Sequence, residues 1–468
     1  MDKYYITTAI DYINGKPHVG HSLEKVASDV LARFYAAKIG RTNVRLVTGT
    51  DEHGAKIAEF AKKENLDPQT FADRNSAYFE FAWDQLNIQY DRFIRTTDLD
   101  HITTVQHFVA KIKDNGHLYE GEYEGLYCIG HEAFLTDKDL VDGVCPDHQT
   151  KPELVKEKNW FLKISEFTEK IKTAIETDEL LIWPEARKKE VLSLLEQGFN
   201  DIAVSRPNVK WGISIPWDDE QTIYVWVDAL INYYTAAGDY WPADAHVIGK
   251  DILKFHAIIW PAMLLAADLP LPKAILTHGF LTIDNKKISK SLGNVIDPND
   301  WVAKYGSDAV RYFLLREVPF SEDGDLSEEK LRVRYEGDLA NGLGNLLSRI
   351  TTLVEKNLDG VFPEGTKGFT APSDEISPLI EQYKFHEALA LVWQYVAWAN
   401  KTVDENKLWE LGKTDLPKFT EVSKQVVDVL EIIAKALAPF MPETSQKILT
   451  AVTAEKIVKS EPLFPKVE

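Results

Sequence analysis

Apolar and polar positions follow three different patterns along the chain. At the start, Tyr4-Tyr5-Ile6-Thr7-Thr8-Ala9-Ile10 is an unbroken run of aromatic and β-branched residues and predicts a buried strand. Asn14-Gly15-Lys16-Pro17 breaks it. From His18 the apolar residues recur at Leu23, Val26, Ala27, Val30, Leu31 and Phe34, the spacing of one helix face, and Val44 to Thr48 predicts a second strand. Strand, turn, helix and strand in this order open a doubly wound α/β domain, whose ligands sit beyond the carboxyl ends of the strands.

Between about residues 116 and 215 the texture changes. Gly, Cys, His and charged residues crowd into short segments with no sustained helix in the first half, and the interval reads as an insertion. The α/β pattern resumes near Ile223-Tyr224-Val225-Trp226-Val227-Asp228-Ala229, runs through Val247-Ile248-Gly249 and continues as a helix around Ile252 to Leu265. The doubly wound domain is therefore expected in two pieces, 1–115 and 216–325. From about Leu326 helical periodicity takes over. Phe385, Ala388, Leu389, Val392 and Val396 form one stripe, Val426, Val429, Leu430, Ile433 and Leu437 another, and Pro372-Ser373 is a breaker between helices. Residues 326–468 are expected to be an α-helical bundle.

At 468 residues, two to four domains are expected. Hydrophobic residues at 44% and charged residues at 27% are the balance of a soluble globular chain. No apolar run approaches the roughly 20 residues of a membrane helix, and Met1-Asp2-Lys3-Tyr4 does not begin a secretory signal, so a cytoplasmic protein is expected. Two cysteines, Cys128 and Cys145, make no disulfide framework. The formal charge of -20 argues against tight non-specific binding to nucleic acid, and leaves room for selective binding through a local basic face.

His18 and His21 stand at i and i+3 across the first turn of the predicted helix and would share a face. A helix start offers unpaired N–H groups and the positive dipole end, so a nucleotide phosphate is favoured there and two imidazoles could donate to it. Gly20 would permit close approach of adenine or ribose. The bland alternative is a pair of capping residues on a surface helix. Far downstream, Asn285-Lys286-Lys287-Ile288-Ser289-Lys290-Ser291-Leu292-Gly293-Asn294 sets three lysines among small residues. Such a loop suits a migrating triphosphate, closing over the β- and γ-phosphates and reopening for release. Alone it reads equally as a solvated turn.

Together, His18-Val19-Gly20-His21 and Lys287-Ile288-Ser289-Lys290-Ser291 resemble the HIGH and KMSKS signatures of class I aminoacyl-tRNA synthetases. The resemblance extends to Ala9 through Gly15, Thr50-Asp51-Glu52-His53-Gly54, Tyr224 through Ala229, Gly249-Lys250-Asp251 and His278-Gly279, and is strongest to the methionyl-tRNA synthetase family. Val19 and Ile288 replace the usual Ile and Met, which are apolar exchanges. The implied architecture is a split Rossmann-like catalytic domain with a small inserted connective domain and a C-terminal helical bundle.

Residue by residue, the resemblance places His18, Gly20, His21, Gly249, Asp251, His278, Lys287 and Lys290 at ATP, with His18, His21, Lys287 and Lys290 catalytic. Asp51 would hold the amino acid's ammonium, which needs a counter-charge once desolvated. Ile10, Tyr12, Trp226, Ala229, Tyr233, Ile252 and His256 match the positions around a methionine side chain, and such walls suit a polarizable thioether. Each could equally be ordinary core. In the bundle, Asn345, Arg349 and Trp409 stand where the family reads the CAU anticodon, Arg and Asn pairing with base edges and Trp stacking. A Trp in a helix bundle is otherwise core.

Cys128-Ile129-Gly130-His131 and Cys145-Pro146-Asp147-His148 depart from the family's C-x-x-C, yet two thiolates and two imidazoles form a complete tetrahedral zinc set. Four protein ligands would make that zinc structural; the alternative is a packed turn without metal. The implied reaction is attack of the methionine carboxylate on the α-phosphate of ATP, accompanied by Mg2+, followed by transfer to the terminal ribose of tRNA(Met). A monomer with no obligatory protein partner is expected. The alternatives are a synthetase for isoleucine, valine or leucine, disfavoured by an insertion too short for an editing domain, and a tRNA-binding paralogue without catalysis.

Overall fold

The computed structural model describes residues 2–467 except 129–132, 136–139, 141–142, 147–149, 208, 289–293 and 371–372, with the backbone alone at 123–124, 127, 133–135 and 287. The chain divides into two compact units, one of Met1–Pro17, Thr42–Phe81 and Gln89–His278, the other of His18–Arg41, Ala82–Ile88 and Gly279–Glu468.

The first unit is built on a parallel sheet. Its strands run in the order Asp11–Tyr12, Val44–Asp51, Tyr4–Thr8, Ala245–Gly249, Ala274–His278 and Leu181–Trp183, and Arg92–Arg95 also pairs with Val44–Asp51. Tyr4–Thr8 and Ala245–Gly249 are buried at every position, which is why they read as unbroken apolar or β-branched runs rather than alternating ones. The order reverses at Tyr4–Thr8: Val44–Asp51 lies on one side, and Ala245–Gly249, reached some 240 residues later, on the other. A crevice beyond the carboxyl ends of such strands is where α/β sheets bind ligands. Tyr5, Val47 and Ile94 pack with Ala236, Ala237 and Ala243, and a larger cluster gathers Phe108, Tyr233, Ile248, Trp260 and Ile275.

Within the interval 116–215 the long strands Leu118–Cys128 and Glu153–Leu162 pair antiparallel, flanked by Ala133–Leu135 and Ile202–Ala203. A second antiparallel sheet, Ser205–Pro207, Asp218–Ile223 and Ser214–Ile215, continues past residue 215. Leu181–Trp183, inside the interval, instead joins the parallel sheet beside Ala274–His278. Three residues are too few to show a period, so the sequence hid this strand.

In the second unit, helix Val19–Ile39 is buried over almost all of its first four turns, Glu24, Lys25, Ser28 and Asp29 included. Buried charges must be paired. Lys25 meets Glu24 at 2.8 Å and lies over the ring of Trp83. Asp29 accepts from Arg33 Nε and from Arg311 Nη2, both at 2.6 Å, and Arg311 is fully buried. The rest of the Arg311 guanidinium donates to main-chain carbonyls of Leu86, Pro439 and Phe440, so one side chain ties three chain segments to the helix.

A small sheet follows, with Leu281–Ile283 between Lys286–Lys287 and Gly324–Leu326. Asp284 and Asn285 close its hairpin with φ of 51° and 59°, the left-handed pair that two-residue hairpins require. Among the described residues every later element is helical. Helix starts follow local signals: Asp297 caps Pro298–Tyr305, Ser327 caps Glu328–Arg334 and Asp415 caps Leu416–Leu437, two of them with Pro in the first turn. Both predicted stripes are buried, on Phe385–Glu405 and Leu416–Leu437, and these helices pack together with Pro442–Val452. Of the predicted breaker, Pro372 lies outside the described residues. No helix among the described residues is long and apolar enough to cross a membrane.

Candidate active site

The second unit contains the two signature segments. Pro17 precedes helix Val19–Ile39, and His18 takes the N-cap position with φ −138° and ψ 165°. The Gly20 N–H donates to His18 Nδ1 at 3.1 Å, the His18 N–H donates to His21 Nδ1 at 3.1 Å, and the rings stack with centroids 3.8 Å apart. This is a capping box made of two imidazoles. Because each Nδ1 accepts from the main chain, a neutral ring must carry its proton on Nε2. The bland alternative of capping residues is thus realised, and the same bonds set both rings as Nε2–H donors.

A Cβ on Gly20 would come within 2.9 Å of the His18 ring and 3.2 Å of Ile288 Cδ1. The glycine therefore makes room for the histidine and for the lysine-loop motif, a closer reason than the nucleotide approach expected from sequence. The Val19 N–H donates to Ile296 O at 3.0 Å, so the helix start is held on both sides of that loop, by Ile288 before it and Ile296 after it. Lys287 pairs in register with Thr282 through the main chain. Ser289, Lys290 and Ser291 lie outside the described residues.

In the first unit, Gly249 and His278 end neighbouring parallel strands in register, and Asp251 Oδ1 lies where a Cβ on Gly249 would approach to 2.6 Å. The three residues expected at ATP thus meet at the carboxyl edge of the sheet. Asp51 ends Val44–Asp51 at the same edge, 8% exposed and in register with Tyr12. The turn after it is firmly held. Glu52, fully buried, accepts from Arg95 Nε at 2.7 Å and Nη2 at 2.9 Å and from Thr50 and Thr97, while Trp211 Nε1 donates to the Glu52 carbonyl at 2.7 Å.

Helix Val225–Thr235 carries Trp226, Ala229 and Tyr233 at i, i+3 and i+7, hence on one face. Trp226 stacks on Phe255 at 4.1 Å. His256 Nδ1 lies 3.0 Å from the Ile252 carbonyl and must donate to it, so the neutral ring's Nε2 accepts from the Tyr233 hydroxyl at 2.7 Å. Ile10 packs on the Tyr5, Val47 and Ile94 cluster, and Ile252 borders the larger one.

Two buried groups near these residues were not given a role by the sequence. His246, fully buried, lies 4.4 Å from the Tyr233 ring, accepts from Trp260 Nε1 at 3.2 Å and donates from Nδ1 to Thr7 Oγ1 at 2.7 Å. Burial, and then the nearness of His256, hold it well below the usual histidine range. Asp228 lies between His53 and His101. Burial opposes its charge, but the charge of His53 and hydrogen bonds from both rings prevail, leaving its carboxyl below the usual range.

Cys128 and Cys145 are buried at 1% and 0% exposure and form no disulfide, and the Cys145 N–H donates to Thr150 O at 2.9 Å. His131 and His148 lie outside the described residues, among which no group of three or more ligating side chains is found. In the bundle, Asn345 is exposed at the start of Asn345–Leu358, and Arg349 one turn on donates to Asp404 at 2.6 Å. The Arg349 guanidinium lies 5.7 Å from the ring of Trp409, which is 44% exposed rather than core.

The family model described as tRNA synthetases class I (M) matches residues 4–153 and 147–351. A methionine–tRNA ligase of Caldanaerobacter subterraneus subsp. tengcongensis is 42% identical over 467 residues, covering 95% of this chain and 73% of that protein. One of Thermotoga maritima is 38% identical over 508 residues, covering 100% of this chain and 80% of that protein. The solved structure of Mycobacterium tuberculosis methionyl-tRNA synthetase in complex with methionyl-adenylate superposes with a TM-score of 0.91 at 37% identity, covering 100% of this chain and 99% of that one.

Proposed function

The chain belongs to the methionyl-tRNA synthetase family of class I and is a methionine–tRNA ligase; on that premise, we propose how its residues divide the reaction. His18 and His21 donate from Nε2–H to the α-phosphate as the methionine carboxylate attacks it. Lys287 and Lys290 draw off the pyrophosphate, and Gly249, Asp251 and His278 seat the nucleoside part of ATP. Mg2+ enters with ATP. Asp51 receives the ammonium, and Ile10, Tyr12, Trp226, Ala229, Tyr233, Ile252 and His256 surround the thioether. Positioning and charge stabilisation dominate such a transfer, so no side chain is assigned as general base.

One observation carries this reading: both Nδ1 atoms of the stacked pair are engaged by main-chain N–H groups, which sets the proton of each neutral ring on Nε2. Asn345, Arg349 and Trp409 are assigned to the anticodon of tRNA(Met), supported by an exposed indole with a guanidinium beside it. The chemistry of two buried thiols suits a structural zinc, which Cys128, Cys145, His131 and His148 would hold.

Pyrophosphate exchange and tRNA charging, measured side by side, test the division. His21→Ala should slow exchange about a hundredfold or more with methionine binding little changed; equal rates would remove His21 from the chemistry. Trp409→Ala should weaken charging and spare exchange, and unchanged charging would refute its assignment. No exchange by the parent chain with any amino acid would favour a tRNA-binding protein without catalysis.

A further inference from the structure

Helix Val225–Thr235 presents Trp226, Ala229 and Tyr233 on one face and carries Asp228 in its first turn, 1% exposed. The two carboxylate oxygens have separate partners. Oδ1 accepts from His101 Nε2 at 2.8 Å, which ties it to helix Leu99–Asp114. Oδ2 accepts from His53 Nδ1 at 2.7 Å, and His53 follows Asp51 by two residues. His53 is itself fixed. Trp211 meets its ring edge-on at 5.4 Å while accepting from the Gly54 N–H and donating to the Glu52 carbonyl, so the segment between Asp51 and His53 has little freedom to rotate.

A buried carboxylate near a helix N-terminus is favoured by the dipole, and it is tolerated only while its donors stay in place. One short bond thus joins the helix that walls the side-chain pocket to the strand end that carries Asp51.

We propose that Asp228 and His53 are positioning residues that set the span between Asp51 and the Trp226–Ala229 wall, and so the length of amino acid the site accepts. This rests on the reading of Asp51 as the ammonium receptor and of Trp226 and Ala229 as the thioether wall. Neither Asp228 nor His53 need touch the substrate. If the bond is lost, the ammonium receptor and the wall can drift apart, and discrimination by length falls with affinity.

The test is pyrophosphate exchange by the full chain with methionine and with ethionine, one methylene longer. His53→Asn places an amide nitrogen near the present Nδ1 and keeps the bond to Asp228; His53→Gln places it near Nε2 and loses the bond. For His53→Gln and Asp228→Asn, KM for methionine should rise about tenfold or more while KM for ATP stays within about twofold. The methionine-to-ethionine ratio of kcat/KM should narrow at least about threefold, since one methylene is ordinarily worth tenfold or more. His53→Asn should restore both values to within about threefold of the parent.

His101→Asn, which withdraws the donor from the Nε2 position, loosens the same carboxylate from the other helix, so it should lower the melting temperature while narrowing the ratio less than His53→Gln does. The inference is overturned if His53→Gln and His53→Asn behave alike, or if the ratio falls equally in His53→Gln and His101→Asn. Should Asp228→Asn fail to fold, the contrast between the two His53 variants decides. Asp51→Asn separates the two levels: an unchanged methionine KM refutes the ammonium reading, whereas a raised one beside an unaffected His53→Gln refutes the positioning role alone.

Discussion

Gly20→Ala isolates the geometry of the histidine pair from the stability of the helix that bears it. The added carbon would lie 2.9 Å from Nδ1 and Cε1 of His18, where unstrained contacts want roughly 3.5–4.0 Å, so the ring must retreat by about half an ångström or more. Ile288 Cδ1, at 3.2 Å, blocks relief on the other side. The retreat stretches the 3.1 Å bond from the Gly20 N–H to His18 Nδ1. Losing a cap of this kind costs about 0.5–2 kcal/mol, while Gly to Ala within a helix returns up to about 1 kcal/mol. The net change is within about 1 kcal/mol and moves the melting temperature by only a few degrees.

The chemistry is less forgiving. A donor displaced by a sizeable fraction of an ångström, with its ring free to turn, should cost about a hundredfold in the rate of adenylate formation. Pyrophosphate exchange at saturating methionine and ATP, beside a thermal melt, reads both quantities. Exchange within about threefold of the parent, with a native melt, would refute the claim that the capping box aims the rings.

Three further outcomes follow from buried groups. His246 is held neutral, so between its depressed folded value and the ordinary histidine value of about 6.5 the unfolded chain binds the extra proton; stability should fall as pH drops below about 6.5 and level off above it, and His246→Gln should flatten that slope in urea titrations. Replacing Arg311 by Met leaves Asp29 to Arg33 and takes the donor from three carbonyls in a buried site, and should cost about 3–5 kcal/mol, read from denaturant midpoints; less than about 1 kcal/mol would refute the role of Arg311 as the joint of these segments. Metal analysis of purified chain should give about one zinc, and strong chelation should lower the melting temperature; a metal-free chain with an unchanged melt would leave Cys128 and Cys145 as packed thiols.

Elements with a long, clean period were legible from sequence. The stripes through Phe385 and Val426 are buried residue for residue, and the opening strand, turn and helix fall where Tyr4, Pro17 and His18 put them. Short or mixed signals were not. Tyr224 to Ala229 is apolar enough for a strand, yet turns helical at Val225, and Leu181–Trp183 is too brief to advertise its place in the parallel sheet. The candidate site was legible where its residues are neighbours, as in His18 to His21 or Asp51 to Gly54. His101, His246 and Arg95 reach the first unit's candidate residues from separate elements, and no spacing rule links residues that the fold alone brings together. For Trp409 composition alone points to core, whereas the resemblance assigns it to the anticodon; the indole is 44% exposed, a property that no spacing rule reads.

Arg311 also bears on how this chain can change over generations. Its partners at Leu86, Pro439 and Phe440 are main-chain carbonyls, which every amino acid supplies, whereas its partner at Asp29 is a side chain. Positions 86, 439 and 440 are therefore free to drift as far as this bond is concerned, and positions 29 and 311 can be exchanged only as a pair. Across relatives the signature of this joint would be covariation between two residues 282 apart in sequence (311 less 29), with none at the carbonyl positions.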